Sequence, residues 1–455
     1  MTPTTEQSAI YEAIAAGKNL SVNAVAGSGK STTIAQALHH VPHPFGILLV
    51  FNKANAETLN NRGLRTNYEA KTLNGLGHGI WSTHIGRRLQ VSMRKSSDIL
   101  KSFNTKLSPQ EFADICRVVS LAKAYCISPG VMGKAPPSKA QWQTRADEIG
   151  IEEFDYALAS QVLAKSTEMA FNGFIDFDDQ LYMPVMFDAA FPRIPFVGVD
   201  EAQDLSSLQH EMISRLKFKQ IMVVGDPHQA IYAFRGALSS SFDTLSERFN
   251  LESLPLSQSF RCPQIVGREV VQYAPHFRCA PTNKPGTITR LDEPPARGAV
   301  LARYNAPLIR QAFVFLRKGL PVDYLGRDFL AGLRTLHAKH PTPTQLEAWL
   351  KARLIEVKTD GAKDRAKDQY ASLMTLHGLG DVDQVLQKML TQAKLGHAIV
   401  LATVHKSKGM EWNDVTFLGG QDHSPDAEGQ EGNINYVALT RSANNLVLTP
   451  PTRRR

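Results

Sequence analysis

The sequence predicts an α/β protein built as two parallel-sheet lobes, each carrying a mainly helical insertion. Three observations carry this prediction. Short, continuously apolar, β-rich runs recur with helical stretches between them, the pattern of strands covered on both faces. The runs fall into two clusters. Each cluster is interrupted by a long segment that lacks the strand pattern.

The first cluster holds "LSVNAVA" (20–26), "FGILLVF" (45–51), "FVGVDEA" (196–202) and "QIMVVGD" (220–226). The second holds "GAVLARYN" (298–305), "PVDYLG" (321–326), "AIVLATVH" (398–405) and "DVTFLGG" (414–420). The first interruption, 76–175, reads as helical with a loop near "GKAPPSKA" (133–140). The second, 331–395, is again helical and more charged, as in "TQLEAWLKARLIEV". The expected first lobe is thus 1–75 with 176–250, and the second is 251–330 with 396–455.

Composition narrows the function classes. With 455 residues, 43% of them hydrophobic, the chain can bury large cores. No run approaches the roughly 18 apolar residues of a membrane span, and the N-terminus lacks the pattern of a secretory signal. A cytoplasmic protein is expected, of a bacterial or phage-infected cell, or a nuclear one in a eukaryote. Cys116, Cys126, Cys262 and Cys279 form no CxxC pair, which points to free thiols rather than zinc. The formal charge of +8 weakly favours a polyanionic partner. Arg87, Arg88, Arg94 and Lys95 form a run without an acid, read either as a nucleic-acid contact or as a generic basic surface.

"NAVAGSGKST" (23–32) lies between a strand and a helix, as a phosphate-binding loop must. Ala24 stands where the strict pattern has its first glycine. Gly27 and Gly29 allow the tight turn, and amides from Ala26 through Thr32, with Ser28 among them, can face an anion. Lys30 adds a charge for the β- and γ-phosphates, and Ser31 offers a hydroxyl to Mg²⁺. Asp200 and Glu201 end an apolar run, so both carboxylates sit at a strand's C-terminal edge. Asp200 suits Mg²⁺ and Glu201 suits the attacking water, which makes hydrolysis of a nucleoside triphosphate the expected chemistry.

Ten stretches occur in one order: "TEQSAI", "AGSGKST", "VFNKANAETL", "KTLNGLGHG", "IDFDDQL", "VDEAQD", "VGDPHQAIYAFRGA", "LSQSFRCP", "TVHKSKGMEW" and "NYVALTRS". Together they resemble superfamily 1 helicases of the UvrD/Rep type, most of all the helicase part of F-box DNA helicases and their bacterial and phage relatives. The resemblance implies two RecA-like lobes of the P-loop NTPase class with ATP between them. It implies that Gln7 reads adenine, Phe260 stacks on it and Glu411 touches ribose. Gln229 would sense the γ-phosphate, and Arg261 and Arg441 would reach that phosphate from the second lobe. Always charged and forked, arginine suits that task.

The same resemblance implies single-stranded DNA and duplex junctions as partners. A basic track with stacking aromatics holds such strands. The positions it nominates are Phe51, Asn52, Thr72, Tyr232, Phe234, Arg235, His405 and Lys408. Core packing is the competing reading of Phe51. "IDFDDQL" is read as a structural lead-in rather than a metal site. The expected function is an ATP-dependent 3′→5′ DNA helicase; a DNA-binding ATPase switch or a protein-stripping translocase is the alternative. Only a few residues follow "NYVALTRS", so a nuclease domain after it is not expected.

Overall fold

A computed structural model describes residues 2–61, 63–148, 151, 154–231, 241–356, 360–391, 398–420 and 430–450. Its first sheet contains β1 (Leu20–Ala24), β2 (Gly46–Val50), β3 (Tyr68–Thr72), β6 (Phe196–Val199), β7 (Gln220–Gly225) and β8 (Glu252–Leu256). They lie in the order β3-β2-β6-β7-β1-β8, all parallel. The second sheet contains β11 (Thr287–Arg290), β12 (Ala299–Ala302), β13 (Val322–Leu325), β14 (Ile399–Thr403), β15 (Trp412–Phe417) and β16 (Ser442–Leu448). Its order is β11-β16-β15-β12-β14-β13, again all parallel.

The apolar runs become strands because both faces of each sheet are covered. In the first lobe one core gathers Ile10, Leu20, Val22 and Leu48 on one face. The other face carries Ile47, Leu49, Val197 and Val223 into a core shared with the first insertion. Neighbouring strand residues therefore point into different cores, as a pleated strand requires. The expected division at residue 250 needs correction. β8 pairs in parallel with β1, from Leu20–Glu252 to Ala24–Leu256, so the first sheet extends to 256.

The first insertion is mainly helical, built around the buried Trp81 and Trp142. It also contains a short parallel ribbon of β4 (Gln90–Val91) and β5 (Phe174–Ile175). A buried ion cluster ties it together. Lys95 Nζ lies 2.6 Å from Asp179 Oδ2, while Lys123 Nζ lies 2.8 Å from Asp179 Oδ1 and 2.5 Å from Asp176 Oδ2. The structural reading of "IDFDDQL" accounts for these aspartates, and Lys95 drops out of the exposed basic run. Among the described residues no group of three or more metal-ligating side chains is poised to hold a metal ion.

A small pair, β9 (Gln258–Ser259) and β10 (Arg278–Cys279), bridges toward the second lobe. The second insertion does not stand apart. Leu330, Leu346, Leu373 and Leu386 share a core with Val300, Tyr324, Ile399 and Leu401 of the second sheet. Asp368 of the insertion also accepts hydrogen bonds from the Asn305 and Ala306 amides, capping helix Asn305–Arg317. Among the described residues no helix is long and apolar enough to cross a membrane.

Candidate functional site

The site begins where β1 ends. Gly27 and Gly29 have φ of +72° and +79°, the left-handed region that glycine enters without a Cβ clash. Helix Lys30–Ala37 starts directly after Gly29, so its free amides face the loop. Gly27 has a second reason to lack a side chain. A Cβ there would lie 2.5 Å from Arg261 Cβ and 2.8 Å from Ser259 Oγ. Ala24 is still within β1, buried and outside the left-handed region, so no glycine is needed at that position.

A cavity of about 380 Å³ opens over this loop. Gly27, Ser28, Gly29, Lys30, Ser31 and Thr32 line it, facing Asp200, Glu201 and Gln229 of the first lobe and Arg261 and Arg441 of the second. Sequence reasoning missed Asn55, Thr58, Leu59 and Gly409, which also line it. The first three lie on helix Lys53–Asn61, within "VFNKANAETL", a stretch read only for DNA.

Charge is concentrated here. Lys30 Nζ lies 3.4 Å from Glu201 Oε2. Burial alone would lower the Lys30 pKa, but Glu201, Asp226 and Asp200 outweigh it and raise it. Burial, reinforced by the Glu201 charge, pushes Asp200 upward. Burial would raise Glu201 as well, yet Lys30, Lys408 and a hydrogen bond from Gln203 hold it below the ordinary carboxylate range. Glu201 also has φ +52°, a conformation costing a non-glycine residue about 1–3 kcal/mol. That turn directs the chain from β6 into the short 3₁₀ segment Ala202–Asp204.

Gln229 Nε2 donates to Asp226 Oδ2 at 2.6 Å, and its Oε1 accepts from Arg441 Nη2 at 3.4 Å. Arg441 is buried and anchored by Nε to Val437 O and Nη1 to Met410 O. Burial, with Arg261 nearby, lowers its pKa to about 10, so it remains cationic at neutral pH. Arg261 pairs through Nε with Glu411.

Four expected nucleotide contacts lie off the cavity lining. Ala26 is buried, and its amide donates to the Tyr436 hydroxyl. Gln7 completes the capping box of helix Thr5–Ala15 and donates to Thr33 Oγ1 at 3.0 Å. Phe260 has an exposed side chain. Glu411 is the partner of Arg261.

The DNA-side residues are dispersed. Phe51 is exposed at the end of β2, against the core-packing reading. Asn52 Oδ1 accepts from the Asn55 amide and Thr72 Oγ1 from the Gly75 amide, so both serve helix starts. His405 is half-buried on the short helix Val404–Ser407. Lys408 needs correction: its Nζ donates to Asp204 Oδ2 and to Gln229 O, each at 2.6 Å, with 8% of the side chain exposed. It is an interlobe tie at the cavity's edge, because two buried acceptors draw it inward. Tyr232, Phe234 and Arg235 lie outside the described residues.

The profile of the UvrD/REP helicase N-terminal domain matches residues 4–250, more than half of the chain. The chain belongs to the UvrD/REP helicase family. The UvrD-like helicase C-terminal domain matches residues 398–449, where Lys408 and Arg441 lie. Among relatives of this family, F-box DNA helicase protein 1 of Schizosaccharomyces pombe is 24% identical over 98% of this chain. The chain spans 57% of that relative's length. The ATP-dependent DNA helicase UvrD2 of Mycobacterium bovis is also 24% identical, over 94% of this chain and 76% of the relative. Among solved structures, an arterivirus nonstructural protein 10 helicase with DNA is distantly similar. It has 12% identity and a TM-score of 0.38, over 98% of this chain and 63% of that one.

Proposed function

We propose that this chain is an ATP-driven DNA helicase that moves 3′→5′ on single-stranded DNA by closing its two RecA-like lobes around ATP. One observation carries the reading: a first-lobe phosphate loop and acidic pair face two arginines of the second lobe across one cavity. Hydrolysis that needs cations from both lobes depends on closure, and loss of the γ-phosphate removes the attraction that holds the lobes together.

The roles follow from the groups present. Loop amides and Lys30 hold the β- and γ-phosphates. The buried Ser28 Oγ, with no hydrogen-bond partner among the described residues, offers one more polar group to that anion. Glu201, held ionised, accepts the proton of the attacking water while Gln229 orients that water. Arg261 and Arg441 stabilise the charge that develops on the transferring phosphoryl group. Gln7, Phe260 and Glu411 would recognise the nucleoside once ATP draws them from their present positions. Ser31 and Asp200, both on the cavity and both hard oxygen donors, fit Mg²⁺ and would hold it. When bound, that ion neutralises phosphate charge.

On the DNA side, the exposed Phe51 and Phe177 suit base stacking. Asn74 donates to the Phe177 carbonyl at 3.0 Å, which places Phe177 beside the turn that begins at Thr72.

The test pairs DNA-stimulated ATPase with strand displacement on 3′-tailed, 5′-tailed and blunt duplexes. Wild type should unwind the 3′-tailed duplex, and Lys30→Ala should lose turnover while still binding DNA. ATPase that survives Lys30→Ala would overturn the site. Stimulated ATPase without displacement would leave a translocase that strips proteins from DNA.

A further inference from the structure

Helix Gln430–Leu439 of the second lobe places two side chains three residues apart on the corner 226–230 of the first lobe. Asn433 Nδ2 donates to the Ala230 carbonyl at 3.0 Å. The Tyr436 hydroxyl accepts from the Ala26 amide at 2.8 Å and donates to Asp226 Oδ2 at 3.0 Å. Tyr436 and Asp226 are fully buried, so both hydrogen bonds are shielded from bulk water.

Asp226 is a junction. Its Oδ2 also receives the Gln229 carboxamide, and its amide donates to Gln203 Oε1 at 3.0 Å. Gln203 in turn donates from Nε2 to Glu201 Oε2 at 2.6 Å. One hydroxyl from the second lobe thus touches the phosphate loop directly and reaches both Gln229 and Glu201 through Asp226. The ring is fixed independently, with His228 at 5.5 Å on one side and Phe277 edge-on at 6.4 Å. Burial, followed by the Asp226 charge, raises the Tyr436 pKa well above the usual phenol value, so the hydroxyl keeps the proton it donates.

We propose that Tyr436 is a positioning residue for ATP hydrolysis: its hydroxyl ties the phosphate loop to Asp226 and so sets Gln229 and Glu201 only when the second lobe is docked. This rests on the ATPase reading above and adds to it a coupling element that is not an arginine.

Tyr436→Phe removes one oxygen and preserves the ring packing. The expected kcat for DNA-stimulated ATPase falls about tenfold or more, while KM for ATP stays within about threefold, because a positioning defect is felt in the transition state. Gln229→Ala should cost much less in the Tyr436→Phe background than in wild type, since both act along one chain of hydrogen bonds. Hydrogen exchange read on peptides spanning 24–29 should accelerate in Tyr436→Phe without nucleotide, a readout independent of turnover. An unchanged kcat, fully multiplied penalties in the double variant, or unchanged exchange at 24–29 would each overturn the proposal. Failure of the ATPase reading would look different: wild-type protein without Lys30-dependent turnover, yet with the exchange difference intact.

Discussion

Replacing Lys408 by methionine separates an interlobe tie from a DNA contact. The ammonium is held by Asp204, whose side chain is 2% exposed, and by the Gln229 carbonyl. Its removal leaves a buried carboxylate and a buried carbonyl short of a donor. If Asp204 stays ionised, breaking the pair costs about 3–5 kcal/mol. Burial has already raised the Asp204 pKa to about 6 against the pull of Lys408, so without that pull the group takes up a proton near neutrality. The cost then falls toward about 1–3 kcal/mol, that of unsatisfied buried polar groups. Because Lys408 belongs to the second lobe and both acceptors to the first, the penalty falls on lobe docking rather than on either fold. At about 1.4 kcal/mol per factor of ten, kcat should drop between about fivefold and a few thousandfold.

The pH dependence has a definite sign. An acid whose folded pKa lies above its ordinary value stabilises most below that ordinary value and loses this as pH rises through the folded one. The Lys408→Met deficit should therefore grow from pH 6 to pH 8 and shrink toward acid. The assay is ATPase at saturating single-stranded DNA across that range, with DNA affinity measured against salt. A wild-type kcat with weaker DNA binding and a salt slope reduced by about 1 would refute the reasoning and return Lys408 to the DNA track.

Three further outcomes are expected. Gly27→Ala should lose ATPase and keep single-strand affinity, since φ +72° and a Cβ 2.5 Å from Arg261 Cβ force the lobes apart; ATPase and a binding titration check it. Arg441→Ala should retain nucleotide affinity while kcat falls about 10³-fold or more, as removal of an arginine that stabilises phosphoryl transfer does; turnover beside equilibrium binding checks this. Asp179→Ala takes the paired carboxylate from the buried Lys95 and leaves the buried Lys123 with Asp176 alone, at about 3–5 kcal/mol, and should lower the thermal midpoint by about 6–20 °C. Burial raises Asp179, but Lys123 and Lys95 outweigh it and hold it low, so that gap should narrow only below about pH 4, in melts run against pH.

What could be read from the sequence was whatever local pattern determines. A buried strand must be apolar on both faces, so "GILLV" and "QIMVVG" announced β2 and β7. The phosphate loop was legible because its turn demands glycine at Gly27 and Gly29. β8 was less so: "ESLPL" alternates, contains a proline and lies at the sheet's edge, where one side of the ladder stays unpaired. Partner choice was least legible. Lys95 and Lys408 look like any other lysine in sequence. Their burial depends on Asp179, 84 positions away, and Asp204, 204 positions away. Tyr436 lay in a quoted motif, yet nothing local says that its hydroxyl meets residues 210 and 410 positions distant.

Those long-range partners converge on one short corner. Gln229 Oε1 receives Arg441, its carbonyl receives Lys408, the Ala230 carbonyl receives Asn433 and the Asp226 carboxylate receives Tyr436. All four donors come from the second lobe, and all four acceptors lie within 226–230. The acceptors include two carbonyls that no side-chain substitution in the first lobe can remove. The corner therefore records docking through its backbone as well as through Gln229. A variant at Gln229 alone should slow hydrolysis while leaving the lobes engaged. A variant at a donor loosens the corner itself. If ATP and DNA are coupled through this segment, donor variants should lower the stimulation of ATPase by DNA more than Gln229→Ala does. Equal loss of stimulation in both classes would place the coupling elsewhere.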